Sequence, residues 1–334
     1  MKTVQAYEKM AILVLVILFV GGADFSAGQE VYPSKPVTIM PGFAAGGDND
    51  VTLRIFAPVM EKIWGQPIII VNKPGATGGV MLEYIKNCPP DGYNLGISGT
   101  GAVIGYHIKE LPFHIFNDFT NICQMGSWLG GLFVSKESPW KTVKDLVEYG
   151  QKNPGKLRIG NSGHSSSTHM LSEEFAYENK IKMVPVSFAG DALVLNALLG
   201  NHIDAALQSF TPFASHSGKE GKLRMLTVFI EKRLKTFPDV PTAREAGIKP
   251  YVYRFGIHAV VGPKNLPKTV EEKISSTIKA ASENPEVIRK IEDLLLSPRW
   301  IGGEEWIKFL KEEDRNQLEI MKRIGMKIIR GAYE

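Results

Sequence analysis

Short apolar runs rich in β-branched residues alternate along the chain with segments whose apolar positions recur every three to four residues. Residues 37–40 form the first run, and a Gly-rich turn follows. Ile55, Phe56, Val59, Met60 and Ile63 then share one face of a helix expected over 51–64. Asp50 is placed to cap that helix and Gly65 to end it, while Pro58 removes one backbone bond inside it and predicts a kink. A strand over 68–71, turn chemistry at 72–75, a helix to about 87, a stop at Pro89-Pro90-Asp91-Gly92 and a strand over 93–98 continue the rhythm. Later strands are expected over 132–134, 157–160, 182–187, 203–208, 222–229 and 256–261. Later helices are expected over 143–152, capped by Thr142 with Asp145 three residues on, and over 168–179, 191–199, 268–282, 285–296 and 304–324. This alternation implies an α/β fold with mostly parallel sheets flanked by helices.

The N-terminus breaks the pattern. Lys2 and Lys9 precede an unbroken apolar run over 11–20, and small residues follow at 21–23 and 26–28. The run is too short to cross a bilayer core of about 30 Å as a helix, and its flanks fit a secretory signal over 1–28. An uncleaved anchor is the alternative. Export would place Cys88 and Cys123, the two cysteines of the 334-residue chain, in an oxidising space. There they either pair or serve as small core residues. Lys and Arg number 39 against 35 Asp and Glu, a net charge of +4 that argues against nucleic-acid binding. Two cysteines exclude a disulfide-dense scaffold, and the seven scattered His show no paired ligand spacing, so no metal and no cofactor is expected.

Two turns carry the candidate chemistry. The first, Phe43-Ala44-Ala45-Gly46-Gly47, joins a strand to a helix; its backbone N–H groups suit an anion, or it is a tight turn that only needs glycine. It lacks the Gly-Lys-Ser/Thr of a phosphate loop and the spacing of a dinucleotide turn. The second runs through Ser162, Gly163, His164, Ser165, Ser166 and Ser167 to His169 and again opens a helix. Its hydroxyls suit a carboxylate. Ser beside His also raises a secreted serine hydrolase, although the Gly-x-Ser-x-Gly elbow is absent. Ser98-Gly99-Thr100-Gly101, Phe188-Ala189-Gly190-Asp191, and Asp204 with Gln208 add polar groups near strand ends that could share one crevice.

Taken in order, Tyr32-Pro33-Ser34-Lys35-Pro36, Phe43 to Gly47 with Asp50, Asn72-Lys73-Pro74-Gly75-Ala76 and Pro90-Asp91-Gly92-Tyr93 resemble the periplasmic receptors of tripartite tricarboxylate transporters, the Bug family. Leu198-Leu199-Gly200 with Asp204, and Pro238 to Thr242 with Glu245-Ala246-Gly247, extend the resemblance over nearly the whole chain after the signal. It implies a two-lobed periplasmic binding protein, monomeric and without a catalytic step. Such a receptor holds a small organic carboxylate through amides, hydroxyls and waters and delivers it to membrane subunits. A binding protein that reports to a membrane sensor kinase would share the same pocket. By the resemblance, one lobe comprises residues 29–130 and 251–334 and the other 131–250, with crossings near Gly130-Gly131 and Tyr251 to Arg254.

Three departures stand out: Gly42 where the family has Pro, Asp48 where Gly is common, and Val186-Ser187-Phe188-Ala189-Gly190 in place of Val-Pro-Tyr-Lys-Gly. The lost Lys and Tyr point away from highly charged ligands such as citrate and toward a monocarboxylate or an aromatic acid, with Phe43, Trp128 and Phe188 facing the cleft.

Overall fold

The computed structural model describes residues 32–218, 220–250, 256–297 and 299–333. The targeting segment expected over 1–28 and the crossing expected at Tyr251 to Arg254 lie outside the described residues.

The architecture is a two-lobed α/β fold, one sheet per lobe. The strands are β1 (Val37–Pro41), β2 (Ile68–Ile70), β3 (Asn94–Ser98), β4 (Phe119–Trp128), β5 (Gly130–Ser135), β6 (Arg158–Asn161), β7 (Val184–Ser187), β8 (Ala205–Ser209), β9 (Leu223–Val228), β10 (Ile257–Pro263), β11 (Leu296–Ser297) and β12 (Ile301–Gly302). The main helices are α1 (Asp48–Trp64), α2 (Gly79–Lys86), α3 (Thr100–Ile108), α4 (Val143–Lys152), α5 (Ser167–Glu178), α6 (Asp191–Leu199), α7 (Lys268–Ser282), α8 (Pro285–Asp293) and α9 (Gly303–Arg323). The first sheet has the order β11-β4-β10-β3-β1-β2, with β12 also on β4; the second has the order β7-β6-β8-β5-β9.

The sheets expected to be mostly parallel are mixed. β1 pairs parallel with β2 and β3, and β6 with β7 and β8. β10 runs antiparallel to β3 and β4, and β5 antiparallel to β8 and β9. In the first sheet the reversed strand is β10, which runs against both β3 and β4. In the second sheet the cause is the crossover between lobes: β4 ends in the first sheet at Trp128 and β5 starts in the second at Gly130 with no helix between, so β5 runs against its neighbours β8 and β9. That places one crossing at Leu129, whose carbonyl accepts the Phe210 N–H. Gly131 sits there because of crowding: an added Cβ would stand 2.8 Å from the Thr227 carbonyl oxygen.

Local chemistry accounts for the elements that position the cleft. α1 buries Leu53, Phe56, Ala57, Met60 and Trp64 along one stripe, and Gly65 closes it in the left-handed conformation, donating to the Glu61 carbonyl. The helix runs unbroken through Pro58, which lies on the exposed face. It starts three residues before the expected position, so Asp50 is inside its first turn and not its cap. Asp50 accepts from the Gly46 N–H at 2.9 Å and pairs with Arg54, stitching the Gly-rich turn to the helix. α4 is closed at its start by a reciprocal capping box between Thr142 and Asp145.

Both cysteines are free thiols. Cys123 lies buried in β4, where burial pushes its thiol up to about 12. No helix among the described residues is long and apolar enough to cross a membrane.

Candidate functional site

Four helix N-termini converge on one cavity between the lobes. From the first lobe come the starts of α1 and α3; from the second come the starts of α5 and α6. Phe43, Asp48, Asn49, Gly99, Thr100, Gly101, Trp128 and Ile257 line one side, and Ser162, Ser166, Ser167 and Asp191 the other. The convergence follows from the topology. β1, β3 and β6 each run directly into a turn and a helix, so their carboxyl ends and the following N–H groups face the same crevice. The space is small, about 40 Å³ open to the centres of water molecules. A single water needs roughly 10–15 Å³ on that measure, so only a few waters, or a small ligand group, fit.

The cavity has no Lys, Arg or His in its wall. Its positive potential comes from the helix ends, each equivalent to about half an elementary charge. Against that stand two carboxyls, Asp48 and Asp191. Burial first, and the charge of Asp191 second, push Asp48 well above the ordinary carboxylate range. Burial pushes Asp191 up to about 6, partly offset by a Ser162 hydroxyl and the Asp48 N–H.

The lobes touch beside the cavity. Thr77 Oγ1 donates to the His164 carbonyl oxygen at 2.7 Å, and Lys109 Nζ donates to the same oxygen at 3.1 Å. Arg323 pairs with Glu174, and Ile104 and Met321 pack on Met170. Gly190 admits Ala44, since an added Cβ would lie 3.3 Å from the Ala44 methyl.

The structure brings together Phe43, Gly99, Thr100, Ser162, Ser166, Ser167 and Asp191 of the expected site. Ala44, Ala45, Gly46, Gly47, Ser98, Gly163, His164, Ser165, Ala189 and Gly190 belong to the same turns but do not line the cavity. Their amides are largely committed. Gly46 N–H donates to Asp50 and Gly47 N–H to the Ala44 carbonyl. Gly163 N–H donates to Asn161, and Ser166 N–H to the Gly163 carbonyl. Ser165 adopts φ 70°, a left-handed residue at the apex of the second turn, and its N–H meets His169 Nδ1 at 3.4 Å.

Four expected residues stand elsewhere. Asp204 precedes β8, at the amino end of a strand parallel to β6, and accepts the Arg158 guanidinium at 2.8 Å. The ligand end of those strands is the opposite one. Gln208 is buried in β8 outside the cavity wall. Phe188, the residue after the edge strand β7, packs with Val186 on the hydrophobic core of the second lobe. His169 is buried, and burial lowers it to about 4, so it is a neutral packed residue. Its ring nitrogens face the Ser165 N–H and Glu173, not a serine hydroxyl, which leaves the hydrolase arrangement unassembled.

Gly101, at the end of the third expected strand, lines the cavity, and Asn49 and Ile257 do so without having been singled out. Asn49 was legible as the neighbour of Asp48 at a helix start; Ile257 opens β10 and gave no signal. A larger open groove, about 570 Å³, lies beside Arg224 and Phe237 on the second lobe alone. The Arg224 guanidinium is already spent there on the Trp140 and Lys136 carbonyls.

The family model described as "Tripartite tricarboxylate transporter family receptor" matches residues 52–326. A protein encoded in the gbd 5' region of Cupriavidus necator is 28% identical over 306 residues, covering 90% of this chain and 90% of that protein. The periplasmic binding protein BugD superimposes with a TM-score of 0.82 at 25% identity, covering 89% of this chain and 99% of that one. Rpa4515 of R. palustris, solved with adipate, superimposes with a TM-score of 0.81 over the same 89% and 99%; at 24% identity it bears on the fold alone.

Proposed function

We propose, from the premise that the chain belongs to the receptor family of tripartite tricarboxylate transporters, that the interlobe cavity is where it captures its ligand. The protein is a periplasmic solute-binding receptor for a small organic carboxylate, not an enzyme. The observation that carries the site assignment is the convergence of four helix N-termini on a cavity without a basic side chain. Oriented amides and hydroxyls meet a carboxylate without a fixed countercharge, which keeps the anion releasable. The narrow space and the Phe43 and Trp128 walls favour a compact acid over a tricarboxylate.

Residues 29–130 with 251–334 form one lobe and 131–250 the other, and the lobes open and close about the Leu129 crossing. Residues 1–28 are a signal removed on export. The receptor is a monomer that docks transiently on the membrane subunits with its ligand enclosed.

Isothermal titration and thermal shift against mono-, di- and tricarboxylates test the ligand class. A ligand that binds only the folded state raises the melting temperature by mass action. A response to sugars or inorganic cations with none to any carboxylate would overturn the reading. Trp128→Ala, in the cavity wall, should abolish a positive response if the site is the one described.

A further inference from the structure

Asp48 and Asp191 reach the cavity from opposite lobes, each as the first residue of its helix. Asp191 crosses to the other lobe. Its carboxyl accepts the Asp48 N–H and the Ser162 hydroxyl, and an added Cβ on Gly47 would stand 3.2 Å from its Oδ2. The start of α1, open to an outside anion in a plain Gly-rich turn, is therefore already met by an acid of the chain itself. Asp48 is 5% exposed; the Ser209 hydroxyl bonds its carboxyl, but its Oδ1 has no hydrogen-bond partner. Asp48 lines a cavity with no basic side chain, and a buried carboxyl that favours its neutral form there regains its charge only when a cation or a strong donor meets that oxygen.

The helix starts limit what can accompany the cation. Asp191 meets α1, and Asp48 and Asp191 stand at the starts of their own helices, which leaves the starts of α3 and α5 for one external carboxylate. A second ligand carboxylate would lie against Asp48 with nothing to neutralise it.

We propose that Asp48 and Asp191 together seat a protonated amine, so that the ligand is a small carboxylate that also carries an ammonium group. This rests on the carboxylate-receptor reading above and deepens it. The ammonium offers up to three donors, enough to reach Asp48 Oδ1 and the Asp191 carboxyl at once. Because the two acids belong to different lobes, the bridging cation relieves their mutual repulsion only when the cleft is closed. Ligand charge and lobe closure are coupled through it.

Titration with matched pairs that differ only in the amine tests this. The pairs are alanine and propionate, aspartate and succinate, 4-aminobutyrate and butyrate, and 4-(aminomethyl)benzoate and 4-methylbenzoate. At pH 7.5, at least one aminated member should bind the receptor tenfold or more tighter than its partner. Asp48→Asn and Asp191→Asn, which keep side-chain shape, should each weaken the aminated member at least tenfold and raise the affinity of the deaminated one. Equal or tighter binding of the deaminated member in every pair that binds overturns the inference and leaves the carboxylate reading standing. Silence of both members of all pairs while another acid of the carboxylate panel binds overturns the inference alone, and silence of every carboxylate overturns the two together. Retained amine preference in both variants, with folding checked by circular dichroism, overturns the assignment to this acid pair.

Discussion

His258 sits in β10 with no exposed surface, and neither ring nitrogen has a hydrogen-bond partner. It lies under the β4 backbone, where an added Cβ on Gly126 would be 3.5 Å from its Nδ1. Burial lowers its pKa from 6.5 to about 3. The imidazole is thus held neutral in the fold but titrates freely in the unfolded chain. Its contribution to stability is intact above pH 6.5 and drains as pH falls toward 3, because the unfolded state takes up the proton first. Between pH 6.5 and pH 5 the loss is about 2 kcal/mol, one and a half units at about 1.4 kcal/mol each. That figure needs only a folded pKa below 5. His258→Leu removes the titration and both unpartnered nitrogens. Melting should then show an acid-induced drop between pH 7.5 and pH 5 that is smaller than wild type by about 4 °C, at about 2 °C per kcal/mol for a chain of this size. His169 titrates in the same direction in both proteins and cancels in the comparison. Parallel melting curves for the two proteins across that pH range would refute the reasoning, since His258 would then be protonated in the fold.

Thr77→Val deletes the hydroxyl that donates to the His164 carbonyl oxygen across the cleft; a bond worth about 1 kcal/mol predicts about a fivefold loss of ligand affinity by titration calorimetry, and unchanged affinity would remove it from closure. Asp204→Asn breaks the pair with Arg158 and should lower stability by about 1 kcal/mol in urea melts with affinity unchanged; a loss of affinity in folded protein would return Asp204 to the site. Gly256→Ala would set a Cβ 1.8 Å from Trp128 Nε1, so the indole must leave the cavity wall. Affinity should fall by about tenfold or more, about 1.4 kcal/mol, and wild-type affinity would show that Trp128 has no part in binding.

The elements that could be read from the sequence are those with a clean period. α1 and α4 show one buried stripe each, and β1 and β3 are short apolar runs bounded by turns. α3 was missed because eight of its nine residues are buried and it carries Gly101 and Gly105, so it has no polar face to mark a helix. β4 was missed because Asn121 and Gln124 interrupt its apolar pattern, although Gln124 is fully buried. The two turns were legible as sites because Gly and Ser cluster where a strand enters a helix. Which of their groups face the ligand was not, since that depends on internal partners such as Asp50 on Gly46 and Asn161 on Gly163. Gly46 illustrates the difference: its φ of 80° and open surroundings mark a turn requirement, not a close approach by ligand. Asp204 was misplaced because a strand's two ends look alike in sequence, while only its carboxyl end meets the cleft.

The position that decides ligand charge in this cleft is the first residue of each helix. A helix start offers partial positive charge whatever follows it, so four of them make a general anion trap. A small first residue leaves the trap open. An aspartate there fills it from within and turns the outward face of the same helix start negative. α3 and α5 begin with Thr100 and Ser167, which add hydroxyls to the trap, whereas α1 and α6 begin with Asp48 and Asp191. The cavity is thereby divided into an anion half and a cation half without a basic residue in its wall. The division crosses the lobes, since each lobe supplies one hydroxyl-bearing and one acid-bearing helix start. Only a ligand with both charges satisfies all four at once, and only in the closed arrangement. A receptor built this way rejects simple acids by the cost of charging Asp48 beside them rather than by lack of contacts, so a single Asp48→Asn change should broaden what it accepts and weaken what it prefers together.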